Sequence, residues 1–127
     1  MEKAYKDKVY IGLDIGTTSI KAGTFDEQGY LLHRVSIPTG VLSPEVGYAE
    51  CDALALLEGS IEALGQVYGW CNEQRKVVRS MGCSCQMHSL LGMDASGKPL
   101  TSVMTWADTR AQAQATRLGA HPRIKHF

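Results

Sequence analysis

From residue 9 the chain alternates. In "VYIGLDI" (9–15), Val9, Ile11, Leu13 and Ile15 fall on one side, and Tyr10, Gly12 and Asp14 fall on the other. That is the pattern of a half-buried strand. "GTT" (16–18) interrupts it as a turn, and "SIKAGTF" (19–25) resumes it, with Ile20, Ala22 and Thr24 set against Lys21, Gly23 and Phe25. "DEQG" (26–29) reads as a second turn. "YLLHRVSI" (30–37) reads as a third strand, stopped by Pro38. The chain therefore opens as a three-stranded meander. Residues 38–51 hold two prolines and two glycines and read as a loop.

A longer period follows. Asp52 suits a helix N-cap, and the helix is predicted to run to about residue 71. Leu57, Ile61, Leu64, Tyr68 and Cys71 recur at helical spacing and are expected to face a core. "KVVRSMGCS" (76–84) reads as a strand. "SLLGMD" (89–94) and "PLTSVMTW" (99–106), joined by "ASGK", suggest a hairpin. "DTRAQAQATRL" (108–118) reads as a short helix, with Gly119 at its C-terminal cap and Pro122 just beyond. The predicted order is β-β-β-α-β-β-β-α. It suggests an α/β domain, with a mixed sheet and helical cover.

Composition narrows the function classes. The 127 residues carry 13 acidic and 13 basic side chains, interspersed and without a charged tail. A nucleic-acid or polybasic membrane surface would show a basic excess. No apolar run approaches the ~20 residues that span a bilayer. The opening "MEKAYKDK" is polar and has no apolar stretch after it, so no signal peptide is predicted. Cys51, Cys71, Cys83 and Cys85 form neither a disulfide framework nor a C-x-x-C pair. Cys83 and Cys85 share one face of a strand and are expected to be small buried residues under reducing, cytoplasmic conditions. Met81, Met87, Met93 and Met104 are expected to fill core space.

The turn at 16–18 carries the first candidate chemistry. It lacks the length and the Lys-Ser/Thr helix start of a Walker loop, and a strand rather than a helix follows it. Its backbone N–H groups and the Thr17 and Thr18 hydroxyls can face a phosphate. Gly16 permits close backbone approach. Asp14 can serve a hydrated magnesium ion, which commonly keeps several waters beside one or two carboxylates. Lys21 can place positive charge near the same phosphates. The same residues also suit an ordinary hairpin, in which Asp14 bonds locally and Lys21 is a solvated edge residue.

The string "DIGTTSIKA" after an apolar strand resembles the first phosphate loop of the actin, heat-shock-chaperone and sugar-kinase superfamily. "SPEVGYAECDA" (43–53) resembles the P-G-(W/Y)-x-E-x-D-P segment of FGGY carbohydrate kinases. "GCSCQMHSLLGMDASGKPL" (82–100) resembles their core strand, Q-M-H segment and hairpin. "TWADTRA" (105–111) resembles their W-x-D-x-R motif. The four motifs occur in the family's order.

This resemblance implies a ribonuclease H-like fold and ATP-dependent phosphorylation of a sugar or sugar-acid hydroxyl. It implies Mg2+ at Asp14 and ATP phosphates at Gly16, Thr17, Thr18 and Lys21. It implies a polyol site shaped by Gln86, Met87, His88, Trp106, Asp108 and Arg110. His88 and Asp108 can supply directional hydrogen bonds, and Trp106 can cover a sugar's carbon chain. Arg110 or His88 can pair with the carboxylate of an aldonic acid. The family-matching Tyr48 and Glu50 receive no role. "MHS" with "TWAD-x-R" looks most like gluconate kinases. Xylulose kinases share Q-M-H but more usually carry Asn where Ala107 stands.

Family members are several times longer and have two lobes. The resemblance therefore implies that residues 1–127 correspond to the first part of the N-terminal lobe. The second phosphate loop, the adenine pocket, the glycine-rich segment with the catalytic aspartate and the C-terminal lobe are missing. On that reading the chain alone has no significant kinase activity. An unfinished sheet predicts an open edge, an uncovered apolar face and association with a partner, whether the complementary lobe or a second copy. A non-catalytic sugar- or phosphate-binding module and a non-functional remnant are the other readings.

Overall fold

The computed structural model describes residues 7–121 and 124. Pro122 and most of the charged opening segment lie outside the described residues. The meander is present as β1 (Asp7–Ile15), β2 (Ser19–Phe25) and β3 (Leu31–Pro38). The helix α1 (Ala53–Glu73) leads to β5 (Lys76–Cys85). The sheet order is β3-β2-β1-β5, antiparallel through the meander and parallel between β1 and β5. The expected mixed sheet is therefore observed, with β3 and β5 at its edges.

Three predicted boundaries shift. The 38–51 loop holds a two-residue strand, β4 (Glu50–Cys51), which pairs with β6 (Val103–Met104). The expected 89–106 hairpin reduces to single bridges, Met93 with Pro99 and Leu90 with Met104. The second helix, α2, covers only Gln112–Gly119, because residues 108–110 are tied into loop contacts described below. Gly119 ends that helix rather than capping it; the cap is Ala120 in an ordinary helical conformation.

The core lies between α1 and one face of the sheet. Ile11, Leu13, Ile20 and Ala22 meet Ala63 and Val67, with Ile15, Val35, Ile37, Leu56, Leu64 and Val78 around them. Asp52 caps α1 as expected, accepting from the Leu54 and Ala55 amides at 2.8 and 3.0 Å. The His33 and Trp70 rings stack 4.9 Å apart and fix α1 to β3. Thr24 is buried, with its hydroxyl against the Cys71 thiol.

The buried face of α1 differs from the one its large residues suggest. Gly59, Ser60, Ala63, Val67 and Cys71 face inward. Leu57, Ile61 and Tyr68 are exposed, Leu64 is half-buried, and only Cys71 of the expected set is buried. The reason is proximity: a Cβ added at Gly59 would stand 2.9 Å from the Ile20 Cδ1, so only small side chains fit between helix and sheet. Cys83 and Cys85 are exposed rather than buried, as are Met81, Met87 and Met93. Met81, Cys83 and Cys85 fall on the edge strand β5, and Met87 and Met93 fall in the segment that follows it.

Val67→Ala should therefore destabilise by roughly 2 kcal/mol, from two buried carbons and the cavity they leave. Leu57→Ala should stay within about 0.5 kcal/mol. Urea unfolding of both variants checks the assignment, and a larger loss at Leu57 would contradict it.

Candidate functional site

The parallel ladder brings Asp14 beside Ser84 and Ile15 beside Cys85, at the carboxyl ends of β1 and β5. Open α/β sheets commonly bind ligands beyond those ends. The Gln86 amide continues the ladder, donating to the Ile15 carbonyl at 2.9 Å. A cavity of about 610 Å³ opens there, lined by Asp14, Gly16, Thr17, Gln86, Met87, His88 and Trp106, among others. Residues from three separate stretches of sequence thus share one space.

The turn beside it is tightly built. The Gly16 amide donates to the Ser19 carbonyl at 3.1 Å, and a Cβ at Gly16 would stand 2.8 Å from that oxygen, so only glycine fits without movement. This N–H closes the turn and is not spare for a ligand. Thr39 braces the turn from β3's end: its amide donates to the Thr18 carbonyl at 3.0 Å and its hydroxyl to the Gly16 carbonyl at 3.4 Å. Thr18 is exposed and does not line the cavity. Lys21 does not line this cavity; paired with Asp14 across the β1–β2 ladder, it borders a second cavity of about 470 Å³ with Gly12, Gly23 and Gly82. Asp14 borders both, and its carboxylate sits 3.9 Å from the Lys21 ammonium.

Two of the residues lining the first cavity are unusual. His88 has φ of +60°, a left-handed conformation uncommon for a side-chain-bearing residue. The Gln86 Oε1 is buried without a protein hydrogen-bond partner. Burial raises the Cys51 thiol pKa above its ordinary value, with the Gln86 side chain opposing that shift. Among the described residues, no group of three or more His, Cys, Asp or Glu side chains could cage a metal ion. The lone, half-exposed Asp14 carboxylate instead suits a water-rich magnesium ion that takes its other ligands from solvent and phosphate.

Asp108 and Arg110 do not line this cavity; they bind each other. The Arg110 Nε donates to both Asp108 oxygens, at 2.9 and 3.0 Å, and its Nη2 donates to Asp108 and to Glu50. The Arg110 guanidinium lies 3.8 Å above the Tyr48 ring. Tyr48 and Glu50, left without a role by the sequence, are thus partners of the W-x-D-x-R motif. Only a contact map across the fold could have shown this. Arg110, and then the Ala49 amide, hold the Asp108 carboxyl well below the usual carboxylate range; Asp108 and then Glu50 raise Arg110 further.

The sequence matches the FGGY family of carbohydrate kinases, N-terminal domain, over residues 9–127. A gluconokinase from Bacillus licheniformis is 33% identical over 108 residues, which is 85% of this chain and 21% of that protein. A xylulose kinase from Staphylococcus epidermidis is 29% identical over 111 residues, 87% of this chain and 22% of that protein. The crystal structure of a gluconate kinase from Lactobacillus acidophilus superimposes with a TM-score of 0.78 at 29% identity, covering 90% of this chain and 23% of that one. The chain spans about a fifth of the length of the curated relatives it matches. No helix among the described residues is long and apolar enough to cross a membrane.

The Asp108 pKa carries a pH consequence. Because its folded value is depressed, its contribution to stability is complete above the ordinary 3.8 and is lost as pH falls toward the folded value. Asp108→Asn should lower stability at neutral pH and flatten the loss in acid. Urea midpoints of both proteins, from neutral to below pH 3.8, check this; parallel curves would contradict it.

Proposed function

The chain belongs to the FGGY family of carbohydrate kinases, and from that membership we propose that it is the N-terminal part of an ATP-dependent kinase acting on a sugar or sugar-acid hydroxyl, with gluconate the favoured substrate. The observation that carries this reading is the single cavity shared by the 16–17 turn, Asp14, the 86–88 segment and Trp106. A phosphate donor and a polyol acceptor need adjoining sites, and the cavity adjoins both sets of residues.

On this reading Thr17 and Thr18 present hydroxyls to the ATP phosphates, and Gly16 keeps the turn tight enough for them to do so. Lys21 lies near enough to Asp14 to add positive charge at the same end of the strands. Bound Mg-ATP supplies the transferable phosphoryl group and the cation that offsets its charge; Asp14 is the residue that would hold the cation's water shell. Gln86 and the His88 imidazole, both lining the cavity, supply directional contacts to substrate hydroxyls, and Met87 and Trp106 cover apolar carbon. With Arg110 committed to Asp108 and Glu50, His88 is the cavity residue suited to a substrate carboxylate. Ala107 and the gluconokinase relative favour gluconate, and the xylulose kinase relative supports xylulose as the second reading.

Phosphoryl transfer needs positioning and charge stabilisation from several sides. One turn and one wall of a sugar site supply too few of them, so this chain alone is expected to show no significant turnover, in a cytoplasmic setting or in a cuvette. The test is to join residues 9–127 in frame to the rest of the Bacillus licheniformis gluconokinase, replacing its matching segment. The chimera should phosphorylate gluconate from ATP, and His88→Ala should raise the KM for gluconate roughly tenfold, about 1.4 kcal/mol, the worth of one polar contact. Preference for xylulose would support the second reading. A folded chimera without activity on either would sink the proposal.

A further inference from the structure

Trp106 stands at the mouth of the cavity with 66% of its surface exposed. Little packing holds an indole in that position. The residues on either side of it are held instead, and both sides are tied to Ala49. On one side, the Thr105 amide and hydroxyl each donate to the Ala49 carbonyl at 2.9 Å. On the other, the Ala49 amide donates to Asp108 Oδ2 at 3.0 Å. The turn between them closes with the Asp108 amide on the Thr105 carbonyl at 3.0 Å and the Ala107 amide on the Thr105 hydroxyl at 3.3 Å. One residue further on, the Thr109 amide donates to the Gly47 carbonyl at 2.8 Å. Arg110 then bridges the two segments through Asp108, Glu50 and the Tyr48 ring.

We propose that Tyr48, Glu50, Asp108 and Arg110 form a latch that positions Trp106 over the sugar site, and that Asp108 and Arg110 act there as positioning residues rather than as substrate contacts. This rests on the reading of the cavity as a sugar site; the latch itself is read without sugar. The commitment of the guanidinium argues for it. The Nε and Nη2 of Arg110 are taken by two carboxylates and its flat face by an aromatic ring, so of its five donors only those on Nη1 are left for a ligand. Asp108 is committed in the same way, receiving Arg110 and the Ala49 and Arg110 amides. The latch also adds side-chain ties to segments that meet through the two-residue β4–β6 ladder and the Thr105–Ala49 and Thr109–Gly47 backbone bonds.

The test uses the full chain with Trp70→Phe, which leaves Trp106 as the lone indole and keeps a ring against His33. Time-resolved fluorescence anisotropy then reports nanosecond motion of Trp106. Arg110→Gln and Glu50→Gln should each release a fast component that the parent lacks, with the far-ultraviolet circular dichroism of the sheet and α1 retained. Arg110→Lys should fail to restore the parent's decay, because a point charge cannot replace the two-sided fork. Glu50→Gln leaves the Asp108–Arg110 pair in place and serves if Arg110→Gln does not fold. Unchanged anisotropy in the folded variants would overturn the latch, as would full rescue by lysine. A loss confined to gluconate binding, with Trp106 unmoved, would also overturn it and would make Arg110 a substrate contact. Failure of every sugar to bind would count against the proposed function but leave the anisotropy result standing.

Discussion

The candidate site depends on the parallel pairing of β1 with β5. That ladder joins strands that lie far apart in sequence and sets their carboxyl ends side by side. Without it, the 16–18 turn and the 86–88 segment have no common wall. Parallel pairing requires a crossover, and α1 supplies it while covering the central strands. The small residues along its inner face let the helix approach closely enough to seal Val9, Ile11 and Leu13 from water. Core and site therefore have the same origin: the helix that closes the core is also the connection that aligns the strand ends.

Two kinds of order meet at the cavity. Its inner wall is built from backbone, with the Gln86 amide extending the ladder and the Gly16 turn braced by Thr39. Its outer rim is held by side chains, through the charges of Asp108, Arg110 and Glu50. The rim is the more vulnerable to acid and to salt, because its ties are ionic and partly exposed. The inner wall answers instead to sheet stability. The opposite face has a different character. Gly23, Gly12 and Gly82 stand in register across three strands and floor a shallow apolar trough that nothing in the described residues covers.

Much of this was legible in the sequence. The alternation of 9–37 predicted the meander, because one face of each strand packs on α1 while the other is open. The motifs that resemble FGGY kinases predicted the fold, and Asp14, Gly16, Thr17, Gln86, Met87, His88 and Trp106 do share a space. The inward face of α1 was misread because size was taken for burial, whereas close packing selected Gly59, Ser60 and Ala63. The fate of Cys83 and Cys85 was misread because a strand period says which residues share a face but not whether anything covers it. The β4–β6 ladder is too short for a periodic signal. The Arg110 bonds to Glu50 span two segments that no local pattern connects.

His88 carries a consequence for how this chain can vary. Its backbone sits where glycine is easiest and where Asn, Asp and His are the side chains best tolerated. Relieving the backbone by a change to glycine would erase the imidazole from the cavity. Keeping an aromatic of similar size, such as phenylalanine, would retain volume but leave the strain unrelieved and remove the polar group proposed to meet a substrate. Local conformation and cavity chemistry thus favour different replacements, and their overlap is nearly confined to histidine and asparagine. On the proposed reading, a replacement there has to answer to two independent demands at once.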